Sequence, residues 1–275
     1  MKLKIVLSNS FFRIILVFIS LVSLFPFYYL FIMSSYFNED IMRMGMSLIP
    51  GNYLLENLKN ILTGNYIISY VNSAIVSSSS TICSVLICAA AGYGLSLYRF
   101  NTRNFFKALI VLTMLLPPQL AIIGYIIQMR TMGLSRTFLP LILVWFPNSF
   151  GVFWIMQYLG SSIQKEIVES ARIDGANELF IFFTISIPLM RPAIVTLVML
   201  VFLWSWNSYM LPLIMITRAS MFTVPLYVQS IAGLYRTDYS AQMTALFFAT
   251  IPLLIIFILG GKAFQKGLIA GAIKG

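Results

Sequence analysis

Residues 165–188 read KEIVESARIDGANELFIFFTISIP, and the first fourteen of these positions hold six of the chain's twenty-six charged residues. The stretches on either side are long and apolar. Ser161 and Gln164 have the spacing of a helix-starting capping box. Ile163, Ile167, Val168 and Ala171 form one apolar stripe at helical spacing, flanked by Lys165, Glu166, Glu169 and Arg172. Asp174-Gly175 then breaks the helix, since glycine takes the left-handed conformation without a Cβ penalty. Asn177 is placed to cap a second helix, Glu178 favours its N-terminus, and Pro188 closes the unit. The pattern predicts a helix–turn–helix of fixed shape. It reads as a handle for a soluble partner or as an interfacial pair that only joins its neighbours, and periodicity leaves both open.

The neighbours set the fold class. The chain has 275 residues, 60% of them hydrophobic and 9% charged, whereas a water-soluble domain carries about 25% charged residues. Part of its solvent is therefore lipid bilayer. Six apolar segments have the length of a crossing: 12–33, 68–92, 105–127, 138–160, 190–216 and 242–263. The first follows basic residues but is too long for a signal-peptide core and has no small-x-small cleavage site after it, so it reads as a retained helix. With the N-terminus inside, twelve of the eighteen Lys and Arg residues fall on the inner side, and the positive-inside rule favours cytoplasmic N- and C-termini. The formal charge of +10 then reports topology, not nucleic acid. The outer segment 34–67 is the longest loop and is expected to hold short interfacial helices. The loop 217–242 suits either an ordered re-entrant element or a passive linker.

Several function classes are excluded or weakened. There is no histidine, which removes Ser-His-Asp chemistry and the commonest metal ligand. Cys83 and Cys88 match neither a zinc motif nor a redox pair and read as small buried hydrophobes. Asp and Glu are absent from all six segments, which argues against a proton- or cation-relay carrier. An ion-coupled transporter or channel for a small polar solute stays as the alternative, since backbone carbonyls of broken helices can hold sodium. The nearest approach to a phosphate loop, GGKAFQKG at 260–267, lacks the required spacing and the Ser/Thr after lysine. Pro117, Pro118, Pro147, Pro212 and Pro252 mark kinks inside the segments, which either line a pathway or serve packing. In the fifth segment Trp204, Asn207, Ser208 and Tyr209 lie on or near one helical face. An aromatic plane and an amide there suit a sugar ring and its hydroxyls, or the tryptophans are packing residues.

ESARIDGA at 169–176 followed by ISIP at 185–188 resembles the EAA loop of bacterial ATP-binding-cassette importer permeases. Glu169, Gly175, Ile185 and Pro188 match that pattern, while Ser170 stands for an alanine and Ile187 for a leucine. GYGLSLYRF (92–100), PPQLAIIGYIIQMRTMGLSRTFLPLIL (117–143), FLWSWNSYMLPLI (202–214) and GLIAGAIKG (267–275) are similar to the sugar-importing branch, in order along the chain. The whole resembles the MalG-like subunit of maltose-type importers.

That resemblance implies an all-α membrane protein with the type I importer permease fold. Residues 1–275 would form a single transmembrane permease domain, with 34–67 an extracytoplasmic loop and 161–189 a cytoplasmic coupling loop. It would sit in the bacterial cytoplasmic (inner) membrane as part of a carbohydrate importer. Its partners would be a second permease subunit, two ATPase subunits and an extracytoplasmic sugar-binding protein. The chain would bind no cofactor and no metal and would have no catalytic residue, since ATP and magnesium are used by the partner ATPase. Glu166, Glu169, Ala171, Arg172, Asp174, Gly175, Ala176, Phe180 and Pro188 would be the ATPase-coupling positions.

Overall fold

The computed structural model describes residues 2–43, 45, 47–162, 165–232 and 238–272. They are helical: α1 (Lys2–Ser34), α2 (Asn38–Arg43), α3 (Leu54–Leu62), α4 (Tyr66–Leu97), α5 (Arg103–Met114), α6 (Ile122–Thr131), α7 (Leu139–Leu143), α8 (Ser149–Ser162), α9 (Lys165–Ile173), α10 (Glu178–Phe180), α11 (Ile187–Leu189), α12 (Arg191–Trp206), α13 (Met210–Met215), α14 (Val224–Ile231) and α15 (Tyr239–Ala272). A π-helical run, Ile181–Ser186, joins α10 to α11.

Among the described residues three helical stretches are long and apolar enough to cross a membrane: Phe12–Ser34, Tyr66–Leu97 and Tyr239–Gln265. Two bent pairs pass the same test together. Arg103–Met114 meets Pro118–Thr131 at 96°, and Glu178–Leu189 meets Arg191–Trp206 at 80°. In the second pair, only the arm after Met190 falls in the apolar segment 190–216. Prolines account for the breaks. A proline in a helix lacks the N–H that the carbonyl four residues earlier needs, and its ring clashes with that carbonyl. α5 ends at Met114, four residues before Pro118, and α7 ends at Leu143, four before Pro147. Pro117 is extended, at φ −60° and ψ 124°, as a residue preceding proline must be. Pro212 removes the donor for Ser208, and the chain is non-helical between α12 and α13. The segment expected as a continuous fourth crossing over 138–160 is thus two helices. α8 alone, with 14 residues, is about 21 Å long at roughly 1.5 Å per residue. Pro252 lies inside α15, as Pro26 lies inside α1.

The chain forms two compact units. The first comprises Met1–Ile67 and Tyr227–Ile251. The crossing stretch of α1 is apolar all round and mostly uncovered within the chain, while Ile32, Met33 and Ser34 at its end are buried. Its C-terminal carbonyls are met by Asn57 of α3, a buried amide whose Nδ2 donates to Ser34 O at 3.0 Å and Tyr36 O at 2.8 Å. This answers the requirement that helix-end carbonyls find donors. Gly51 N–H donates to Ser35 Oγ, and Tyr36 O–H to Ile49 O. The segment 34–67 therefore carries the short ordered helices expected of it, α2 and α3. Tyr66 O–H donates to Ala245 O at 2.9 Å, tying the start of α4 to α15.

The second unit comprises Ile68–Leu226 and Pro252–Gly275. α4 is its central helix, with nearly half of its crossing window buried. Ser69, Ser73, Ser77, Ser80 and Ser84 line its buried side, and small hydroxyl residues let membrane helices approach closely. Asn72 Nδ2 donates to Ser220 O and Phe222 O, and Ser73 Oγ accepts from Val224 N–H. The expected loop 217–242 is ordered over its described part, with a 3₁₀ turn at Ala219–Met221 and then α14. α4 and α8 interlock through glycines. A β-carbon on Gly92 would lie 2.6 Å from Ile155 Cγ2, and one on Gly151 would lie 2.6 Å from Cys88 Sγ. Trp154 of α8 donates its indole N–H to Ala193 O of α12. Gly260 of α15 lies under Met199 of α12, and Gly267 under Thr196 and Pro192 of the same helix.

Three substitutions test this packing. Gly92→Leu forces side-chain volume into the α4–α8 contact and is expected to cost about 1–3 kcal/mol, read as a lower thermal midpoint in detergent. Gly94→Ala, where a β-carbon meets nothing within 4 Å, is expected to leave the midpoint unchanged or raise it. Asn57→Leu removes two hydrogen bonds and leaves Ser34 O with the Thr244 hydroxyl at 3.3 Å, and is expected to lower the midpoint by the equivalent of about 1–3 kcal/mol.

Candidate functional site

The predicted helix–turn–helix forms. α9 ends in a turn closed by Gly175 N–H to Arg172 O at 3.1 Å and Ala176 N–H to Ala171 O at 3.0 Å. That pair of bonds is a Schellman termination, with Gly175 at the left-handed position, φ +82°. A β-carbon on Gly175 would meet nothing within 4 Å, so the backbone conformation, not space, requires glycine there. Asn177 caps the second arm: its Oδ1 accepts from Phe180 N–H at 2.8 Å. The π turn that follows adds a residue to the helical register, a distortion often found at functional sites. It sends Phe182 into the core and leaves Phe183 exposed.

The unit is anchored along one side. Val168, Ile181, Phe182 and Met190 are buried with Tyr93, Ile155 and Leu159 in one core, and Ala171 and Ala176 pack partly buried against it. The expected stripe is narrower than its spacing implied. Ile167 is exposed, while Val168 and Ala171 face the core. Ser161 lies in the last turn of α8, while its side chain, Ile163 and Gln164, and with them the capping box, lie outside what the structure describes. Glu166, Glu169, Asp174, Phe180 and Pro188 are exposed, and Arg172 is half-buried.

Arg172 turns back on its own hinge. Its Nε donates to Glu178 Oε1 at 2.6 Å and its Nη2 to Glu178 Oε2 at 3.3 Å. Tyr93 O–H, on α4, donates to Glu178 Oε2 at 3.2 Å. The guanidinium lies 5.1 Å from the centre of the Tyr98 ring, within cation–π range. The hydrogen bond from Arg172, followed by one from Tyr98, holds the Glu178 carboxyl below its ordinary pKa. The pair is therefore charged at neutral pH, and its contribution is lost as pH falls through that lowered value. Sequence reasoning missed Glu178, Tyr93 and Tyr98 as members of this cluster. Arg172 and Glu178 are six apart across a turn, which is no helical pairing interval, and Tyr93 is 85 positions from Glu178.

The second group of candidates lies at the end of α12. Trp204 is exposed and stacks on Trp145 with ring centres 6.5 Å apart, and Phe150 meets it edge-on at 5.6 Å. Asn207 is exposed one turn on, its Nδ2 donating to Leu203 O. Ser208 is half-buried in the non-helical break. Tyr209 does not share this face and packs partly buried against the core of Leu211, Met215 and Ile126. Trp206 is a buried packing residue.

Comparison with known proteins follows the geometry. Residues 84–270 match the family described as binding-protein-dependent transport system inner membrane component. The chain is 31% identical over 262 residues to the arabinooligosaccharides transport system permease protein AraQ of Halalkalibacterium halodurans, covering 94% of each. It is 27% identical over 255 residues to the sn-glycerol-3-phosphate transport system permease protein UgpE of Pectobacterium atrosepticum, covering 90% of each. Its fold superposes with a TM-score of 0.81 on a chain of a bacterial ABC transporter involved in import of the acidic polysaccharide alginate, at 22% identity and covering 94% of this chain and 96% of that one. The chain belongs to the family of binding-protein-dependent transport system inner membrane components: it is an all-α, membrane-spanning permease subunit of an ATP-binding-cassette importer, and not itself the ATPase.

Proposed function

We propose that this permease serves a carbohydrate importer, forms half of its translocation pathway with a second permease subunit, and docks an ATPase through residues 161–189. The observation that carries the reading is the contrast within the helix–turn–helix. Val168 is 1% exposed and anchors one side, while Ile173 at 86% and Leu179 at 72% leave the tip apolar and uncovered. A soluble loop gains nothing by exposing such residues; a loop that seats in a partner's cleft does. In this reading Glu166, Glu169 and Asp174 make charged contacts with the ATPase, and Phe180 fills an apolar depression. Gly175 permits the close turn, Ala171 and Ala176 hold the unit to the core, and Pro188 ends it. Arg172 stiffens the turn from within. ATP and magnesium act in the partner, whose closure pulls the handle and opens the pathway outward.

The Lys and Arg distribution supports cytoplasmic termini and a cytoplasmic face for 161–189, with 34–67 extracytoplasmic and receiving the binding protein. Residues 1–275 then act as one permease domain. A sugar substrate is supported by the arabinooligosaccharide system of a relative and by the site at α12. Trp204 offers an aromatic plane beside Asn207 and Ser208, and Tyr209 backs the same break from the core side. Broken backbone at membrane depth is tolerated only inside protein or along a wet cavity, which supports a pathway role for this break.

The test is reconstitution of the whole importer in liposomes. Gly175→Val imposes about 1–2 kcal/mol of strain on the left-handed turn, and uptake is expected to fall roughly 5–30-fold while the subunit still inserts. Leu179→Glu is expected to weaken ATPase co-purification. Wild-type uptake by the first and wild-type assembly by the second would overturn the docking assignment.

A further inference from the structure

We propose that Tyr93 and Tyr98, at the end of α4, are positioning residues of the coupling device: they clamp its hinge, through Glu178 and Arg172, to a helix that the loop does not adjoin in sequence. The inference rests on reading residues 161–189 as the ATPase-coupling loop.

The covalent chain delivers movement of that loop only to its own neighbours, α8 before it and α12 after it. α4 ends at Leu97, and the hinge is at Gly175. Any pull on α4 from the hinge must pass through side chains. Beside the packed core that the loop shares with α4, the structure holds a polar connection. Glu178 accepts two hydrogen bonds from the Arg172 guanidinium, and its Oε2 also accepts the Tyr93 hydroxyl at 3.2 Å. The other face of the guanidinium lies over Tyr98. Both arms of the hinge therefore grip α4, one through its carboxylate and the other through its guanidinium.

Three features argue that the grip transmits force. Asn177 already caps the second arm through Phe180 N–H, so the Glu178 carboxylate is not consumed by that task. Tyr93 is 4% exposed, and its ring meets Phe182 of the loop edge-on at 5.2 Å, so the hydroxyl is held by a packed ring. The end of α4 is itself secured: Arg103 donates Nε to Leu95 O and Nη2 to Ser96 O, both at 2.8 Å, which places a cation on carbonyls that would otherwise lack partners. A clamp on a frayed helix end would dissipate displacement, and this end is tied.

The experiment uses the complete importer in proteoliposomes, with binding protein and sugar supplied, and reads sugar moved per ATP hydrolysed. Tyr93→Phe keeps the ring and removes one hydroxyl, and Tyr98→Leu removes the aromatic face at a partly exposed site. A cysteine at Leu179, cross-linked to the ATPase, reports docking in each variant. The expected result is unchanged cross-linking and basal ATP hydrolysis, with the transport-to-hydrolysis ratio lowered roughly three- to tenfold, the scale of one polar contact. Unchanged ratios in both variants, with docking intact, would overturn the clamp and leave the coupling-loop reading standing. Failure of the unaltered loop to cross-link would overturn that reading, and the clamp with it. A lowered ratio with an equally lowered thermal midpoint in both variants would assign the tyrosines to packing alone and also overturn the clamp.

Discussion

Backbone amides and carbonyls that enter hydrocarbon must find partners inside the protein, because lipid offers none. This constraint organises the molecule. Where the chain meets it with unbroken helix, as in α1, α4 and α15, side chains are free to be apolar on every face. Where prolines forbid it, between α5 and α6, α7 and α8, and α12 and α13, freed carbonyls need another solution. A local turn provides part of it: Phe146 N–H reaches Leu143 O, the carbonyl that Pro147 cannot serve. Side chains serve helix ends nearby, with Asn207 adding its amide to Leu203 O and Asn148 Oδ1 accepting the Gly151 N–H at the start of α8.

The same constraint explains why α4 is polar on its hidden side. The hydrophobic effect does not press helices together in lipid, so contact depends on close fit and on hydrogen bonds. Serines at 69, 73, 77, 80 and 84, with Gly92, give α4 a narrow profile against its neighbours. Asn72 and Ser73 fasten the segment ahead of α14. The outer face of α4, with Ile67, Ile75 and Ile82, stays greasy and exposed.

Local features were legible in the sequence. Asp174-Gly175 ended the first helix of the helix–turn–helix and Asn177 opened the second because both effects act over three or four residues. Three of the six expected crossings, 12–33, 68–92 and 242–263, match single long helices legible from apolar length, and several interruptions of the others were legible from proline. The stripe assignment failed at Ile167 because spacing defines a face but not the width that neighbours cover. The Arg172–Glu178–Tyr93–Tyr98 cluster was invisible for a different reason: it joins a turn to a distant helix, and no short-range period encodes it. Among the pathway candidates, Trp204 and Asn207 share a surface as their three-residue interval implies. Tyr209 departs because the helix has already broken before it.

The meeting of α12 with the last helix carries a mechanical implication. Gly260 and Gly267 stand seven residues, or two turns, apart and both face α12. Interdigitated side chains resist lengthwise travel, since each must climb out of its recess before it can advance. Each glycine is such a recess: Met199 occupies the place of a β-carbon at 260, and Thr196 and Pro192 occupy it at 267. The C-terminal helix is thus notched to α12, and the fit opposes axial slip between the two.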